Sequence, residues 1–277
     1  MNRHALADSA VIQPTGKIDV SNKADPTDKL KSLTESALAL TRAPLERVPR
    51  CRSGTLQMPL ELIRANVFTA SHVGTARARE RSVDVDGAER VYQLHGRVLT
   101  QAHADVLMVA LGYLSDSGPD ARVTVSLDEV NRRLRRKGGA LHLDGLWSLL
   151  LDLTATTVWF REGRRRTTLG GVLLGASAVD STVTLWVNDV MLDMMALGTV
   201  SVAESKRHTI GNRPLAQWLQ LCLAAAPSVT LEAIRLRVAP GQPRDQVRRR
   251  VKSAVAELQS SGALPVSFSG DVVSSSS

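Results

Sequence analysis

The sequence predicts an α+β fold, built as two tandem winged-helix domains behind a disordered N-terminal arm. Three observations predict it. Apolar residues make up 43% of the 277-residue chain, enough for real cores, and the length suits two domains of ordinary size. The order strand, helix, tight turn, helix, hairpin can be read along the middle of the chain, and a similar order recurs near its end. Lys and Arg total 35 against 27 Asp and Glu, a net charge of +8, and they gather at a helix end, a hairpin tip and one face of a late helix. The expected boundaries are 1–55 for the arm, 56–200 for the first domain and 208–277 for the second.

The arm is rich in Ser, Thr, Asp, Lys and Pro. Its one helical-looking piece, 27–42, carries Leu30, Leu33, Leu38 and Leu40, too little apolar surface for a core. From Met58 the texture changes. An extended run, 89–94, leads to a helix carrying Val106, Leu107, Val109, Ala110, Leu111 and Leu114, which Gly118-Pro119 breaks. Val123-Thr124-Val125 is a short strand. Ser126 with Glu129 three residues later is a capping box, so a helix starts there and runs to Lys137-Gly138-Gly139. A second helix, near 142–153, buries Leu146, Leu149, Leu150 and Leu153 at three- and four-residue spacings. Strands at 156–160 and 166–174 flank the turn Glu162-Gly163 and are expected to form the wing, and a strand at 182–187 completes the domain.

In the second domain Pro214 opens a helix to residue 226 with Leu215, Trp218, Leu219, Leu221 and Cys222 inward. After the break Pro227-Ser228-Val229, Thr230 caps a helix to about Val238. The turn 239–243 then leads to a long helix, 244–260, that Gly262 stops. Residues 264–268 would begin a wing, and 274–277 read as a loose tail.

Several function classes are excluded. Cys51 and Cys222 are isolated, with no Cys/His cluster, so neither a disulfide framework nor a zinc site is expected. The N-terminus lacks a signal-peptide core, and the weakly polar stretch 169–179 is too short to span a bilayer, so a cytoplasmic location with no membrane partner is expected. Phosphate-cradling, zincin and nucleophile-elbow motifs are missing, and the pairs Asp84/Asp86 and Asp189/Asp193 read as solvated carboxylates. No enzyme, catalytic residue, metal or cofactor is expected.

The charge points to double-stranded DNA. In helix 244–260, Val247, Val251, Val255 and Leu258 form a buried stripe, and Arg249 lies nearly opposite it. Arg244, Gln246, Arg248, Lys252 and Ser253 complete a donor set: Arg pairs with guanine, Gln with adenine, and Lys neutralises phosphate. A solvated helix face is the rival reading. Arg135, Arg136 and Lys137 close the earlier helix, where the macrodipole alone would favour them. Arg161, Arg164, Arg165 and Arg166 crowd the hairpin tip, as phosphate or minor-groove contacts would. Aromatic residues amount to only 3%, which speaks against single-strand stacking as the main mode.

The motifs also resemble a family. Met58-Pro59 followed by Arg64-Ala65-Asn66-Val67-Phe68 resembles the Met-Pro-x-x-x-x-Arg-x-x-x-Phe segment of the TrfA-type plasmid replication initiators. Gly96-x-x-Leu99 with Asp105-Val106 resembles that family's Gly-x-x-Leu and Asp-x-x-Val region. Ala233 to Leu264, with Arg248, Arg249, Glu257-Leu258 and Ser261-Gly262, resembles its C-terminal ending. The resemblance spans roughly 58–268 and rests on the order of short motifs. It implies a bacterial protein with tandem winged helices that binds direct repeats (iterons) at a plasmid origin, opens the duplex, and recruits host DnaA, the replicative helicase and the sliding clamp. It also implies DNA contacts at Arg244, Arg248, Arg249 and Lys252. The chain departs from the family in its few aromatics and in lacking an obvious long N-terminal extension. Gln57-Met58-Pro59-Leu60-Glu61-Leu62 resembles a clamp-binding peptide. A winged-helix repressor or autoregulator, and a non-enzymatic DNA-associated scaffold, remain alternatives, as do monomer and homodimer.

Overall fold

The computed structural model describes residues 53–70, 79–85, 88–114, 122–134, 142–162 and 165–275, with the backbone alone at 79–85, 88–92, 160–162 and 165–169. All of these belong to one compact unit, Leu40–Ser277. The helical piece expected at 27–42 lies outside the described residues, as does nearly all of the arm.

In chain order the elements begin with β1 (Thr55–Pro59), α1 (Leu60–Arg64), β2 (Phe68–Thr69), β3 (Arg79–Val85), β4 (Ala88–His95) and β5 (Leu99–Thr100). A first module follows: α2 (Gln101–Gly112), β6 (Arg122–Ser126), α3 (Leu127–Leu134), α4 (Leu143–Ala155), β7 (Thr157–Glu162), β8 (Arg165–Gly171), β9 (Gly175–Val179) and β10 (Thr182–Trp186). The connection is α5 (Asp189–Leu197), β11 (Thr199–Ala203) and α6 (Glu204–Ile210). The second module is α7 (Pro214–Ala225), β12 (Ser228–Thr230), α8 (Leu231–Val238), α9 (Arg244–Ser260), β13 (Val266–Ser269) and β14 (Val272–Ser275). The chain is thus an α+β protein.

The two modules repeat one topology. Each runs helix, strand, two helices, hairpin, and in each the first strand pairs with the last, giving the antiparallel orders β6-β10-β9 and β12-β14-β13. The local chemistry repeats too. The residue that ends the first strand caps the next helix: Ser126 Oγ accepts from Glu129 N at 3.1 Å, and Thr230 Oγ1 from Ala233 N at 3.2 Å. The first helical N–H then donates to the second residue of the hairpin turn, Leu127 to Ser181 O at 2.7 Å and Leu231 to Asp271 O at 2.6 Å. These bonds satisfy orphan donors of the helix and fix the hairpin against it.

Two readings of the sequence are corrected here. The hairpin 157–171 is not the one that closes the first module. β7 and β8 join β3 and β4 in a separate four-stranded antiparallel sheet, and the closing hairpin is β9–β10, with Asp180 at φ 53 in its tight turn. The Gly-Ala-Ser-Ala-Val of β9 has little β propensity, whereas Glu162-Gly163 carries a strong turn signal, so the more legible hairpin took the other's place. The tail is also ordered further than expected. Ser274 and Ser275 belong to β14, the central strand of its sheet, where Val273 is fully buried.

The modules share a core. Buried side chains form one continuous cluster from Leu56 to Val273. β1 pairs antiparallel with β11, and α7 packs on β11, α1 and α2. The segment resembling a clamp-binding peptide is part of this core. Gln57, Met58 and Leu62 are buried, so it is structural strand and helix rather than an exposed linear peptide.

Candidate nucleic-acid interface

Helix α9 forms as its sequence dictates. Val247, Val251, Ala254, Val255 and Leu258 are buried and dock it on α7, α8 and β13. The opposite face is open: Gln246, Arg249, Lys252, Ser253 and Ala256 are exposed. Arg249 and Lys252 engage no acidic partner among the described residues. The helix therefore offers an amide, a guanidinium, an ammonium and a hydroxyl along one face, a set able to read base edges and neutralise phosphate.

The same helix braces its neighbouring hairpin. Arg244 and Arg248 both ion-pair with Asp271 in the β13–β14 turn, and Arg248 Nη1 also donates to Gly270 O at 3.3 Å. Gly270 sits at φ 58, a left-handed position that suits glycine. These two arginines are engaged within the fold, unlike Arg249. Arg250 donates to Gln242 Oε1 at 3.0 Å, tying the helix to the preceding turn. On that side of α9 an open cavity of about 280 Å³ is lined by Arg213, Arg250, Ser253 and Glu257 among others, with Arg213 paired to Glu257 at 2.5 Å.

The first module is chemically different. Its third helix, α4, has no Lys or Arg, and exposes Asp144, Gly145, Ser148 and Leu151. The turn of its closing hairpin holds Asp180 and Ser181. Its cations lie elsewhere. Arg161 pairs with Arg166, and Glu162 with Arg165, across the β7–β8 strands, while Arg164 lies in the undescribed tip. Arg135, Arg136 and Lys137 also lie outside the described residues. Upstream of them, Arg132 binds Glu129, its Nε donating at 2.7 Å. Arg133 holds Glu204 at 2.9 Å, donates to Thr55 O at 3.2 Å and lies over the Tyr113 ring. Both are structural cations. The Arg132 hydrogen bond, with that from Tyr113, takes the Glu129 carboxyl down to about 2, and burial with the Glu129 bond pushes the Tyr113 phenol up to about 12. Burial likewise raises the Cys222 thiol to about 12, leaving it an inert core residue.

Sequence reasoning missed the polar seam between the modules. Arg207, 3% exposed, reaches Asp105, Gln101, Gln217 and Gln220. Trp218 Nε1 donates to Asn66 Oδ1 at 2.6 Å, and Asn66 Nδ2 donates to Arg237 O at 3.0 Å. Asn66 falls at an unspecified position of the Arg64–Phe68 motif, and nothing local marks Arg207, since its partners come from two other helices. Among the described residues there is no three-residue His/Cys/Asp/Glu cluster suited to a metal, and no helix long and apolar enough to cross a membrane.

This architecture has a counterpart among solved structures. A crystal structure of domains 2 and 3 of RctB aligns with a TM-score of 0.53 at 9% sequence identity, covering 72% of this chain and 84% of that one. A second RctB structure, of residues 155–483, aligns with a TM-score of 0.49 at 11% identity, covering 76% and 84%. No family model and no curated protein sequence matches the chain. The fold is therefore that of RctB domains 2 and 3, reached at a sequence distance where only the fold is shared.

Proposed function

We propose that the chain is a plasmid replication initiator that binds repeated double-stranded DNA sites at an origin through two winged-helix domains, without catalysis of its own. The observation that carries this reading is the exposed face of α9, with Gln246, Arg249, Lys252 and Ser253 opposite a fully packed apolar stripe. The order helix, strand, helix, helix, hairpin with first-to-last strand pairing is what a winged helix requires, and α9 stands where such a domain places its major-groove helix. The shared fold with domains of RctB, a replication initiator, supports the same reading. So does the order of TrfA-type motifs.

In this mechanism α9 enters the major groove and Arg249 pairs with a base, most favourably guanine through O6 and N7. The Asp271 carboxylate holds Arg244 and Arg248 at the groove edge, so the hairpin and the helix approach DNA as one piece. The first module, whose α4 lacks cations, contributes backbone contacts through the arginines of β7–β8. Origin opening and recruitment of host DnaA, helicase and clamp follow from the family resemblance. The clamp contact needs a segment other than Gln57–Leu62, which the core buries.

The test is footprinting of the full chain on the replicon that encodes it, with permanganate probing of the adjacent AT-rich duplex. Protection of tandem repeats with opening supports initiation. Protection without opening replaces it with the repressor reading, and uniform weak binding replaces both with a scaffold.

A further inference from the structure

The seam between the modules holds a charge where an apolar contact would serve stability at least as well. The Arg207 guanidinium is almost fully buried. Its Nε donates to Asp105 Oδ1 at 2.8 Å and its Nη2 to Gln101 Oε1 at 2.9 Å, both on α2. Its Nη1 donates to Gln217 O at 2.6 Å and reaches Gln220 Oε1 at 3.4 Å, both on α7. Gln217 Nε2 reaches back to Asp105 Oδ2 at 3.3 Å, and Gln101 Nε2 extends the chain to Phe68 O at 3.2 Å. One planar fork therefore spans the first helix of each module. A buried ion pair contributes little net stability compared with packed hydrophobic residues, because desolvation opposes it. What it adds is orientation: the four hydrogen bonds of this planar group are made at one helix–helix geometry and lose partners at others.

We propose that Arg207 is a positioning residue that fixes the angle and separation of the two modules, and so the spacing at which they engage one DNA duplex. This rests on the reading that both modules contact DNA. A second tie supports it: Asn66, in the connection between α1 and β2 that leads to the strand packed on α2, joins Trp218 on α7 to the carbonyl of Arg237 at the end of α8, so the second module is also held to the segment beside the first. A rigid pair of heads gains avidity only when both reach their contacts together, and loses it when the contacts are moved apart.

The experiment uses the full-length chain. Duplexes with a random core are selected against the wild-type protein. In the best binder, insertions of about 5 bp, half a helical turn, are then placed between the two footprinted contact regions. Wild type should lose about 100-fold in affinity on the lengthened duplex, because the second contact is forfeited. Arg207→Met combined with Asp105→Leu, which replaces the pair by apolar residues, should lose less than about 10-fold on the same duplex, as a flexible linkage does. Arg207→Lys, which keeps the charge beside Asp105 and loses the fork, should fall between them, and it serves alone if the double variant does not give a cooperative melt. A wild-type protein indifferent to the insertion, or folded variants with the wild-type ratio, overturns the positioning role while leaving sequence-specific binding intact. Failure of the wild type to select any sequence overturns the functional reading itself, and the inference with it.

Discussion

Asn66 offers a measurable test of how the second module is tied to the segment between α1 and β2. It occupies the left-handed region at φ 52, just after α1, and its amide accepts from the buried Trp218 indole while donating to Arg237 O. Asn66→Ala removes both bonds and places a Cβ-bearing residue without local compensation at positive φ. The backbone term is worth roughly 1–2 kcal/mol. Leaving the Trp218 N–H buried and unpaired costs about 1–3 kcal/mol. Together these give about 2–5 kcal/mol, or a fall in Tm of roughly 4–20 °C for a domain of this size. Asn66→Gly separates the parts, since glycine accepts the backbone and loses only the bonds. Thermal and urea unfolding, followed by Trp fluorescence and circular dichroism, would measure both. The expected order is wild type, then Gly, then Ala, with one cooperative transition throughout. Equal, sub-kcal/mol effects of the two variants would refute the assignment of strain and of a buried bond to this position.

Three further outcomes are expected. Arg249→Ala should weaken binding to the selected site by roughly 1–3 kcal/mol and relax preference at one base pair, leaving random DNA almost unaffected, as competition binding would read; equal losses on both would make Arg249 a phosphate contact. Truncation after Gly270 removes the central strand β14 together with Asp271, so the second module should lose its cooperative transition and the chain its selective binding, whereas a loose tail would be dispensable. Glu129, held low by Arg132 and Tyr113, contributes stability that is present above its ordinary value of 4.5 and lost as pH falls toward about 2, so Glu129→Gln should lower stability at neutral pH, flatten the stability profile across that window and converge with wild type at its acid end, as unfolding at a series of pH values would read.

How much of this was legible depends on how local each signal is. The second module could be read almost to the residue, because its helices carry their own punctuation: Pro214 at a first turn, Thr230 as a cap, and a valine stripe through 244–260. Ser126 and Glu129 marked α3 in the same way. β9 could not be read, since a run of Gly, Ala and Ser becomes a strand only when β10 is beside it. Nor could β1 with β11, whose pairing joins distant parts of the chain. At the candidate site, the periodicity of α9 located the open face with Arg249 and Lys252. It could not show that Arg244 and Arg248 are held by Asp271, which lies in a turn the pattern had not reached. Arg207 carries no local signal in the sequence, and only tertiary packing makes it the buried centre of the seam.

The repeated topology has a practical corollary for engineering. Between its third helix and its closing hairpin the first module accommodates an entire β-hairpin, β7–β8, and still forms the same three-stranded sheet and the same turn-to-helix bond. The second module crosses the corresponding junction directly, through the short loop between Ser260 and Val266. The chain thus contains its own precedent for a permissive splice point. A reporter or affinity peptide grafted into the 261–265 loop would sit beside α9 at a place where the sister module already tolerates an insert.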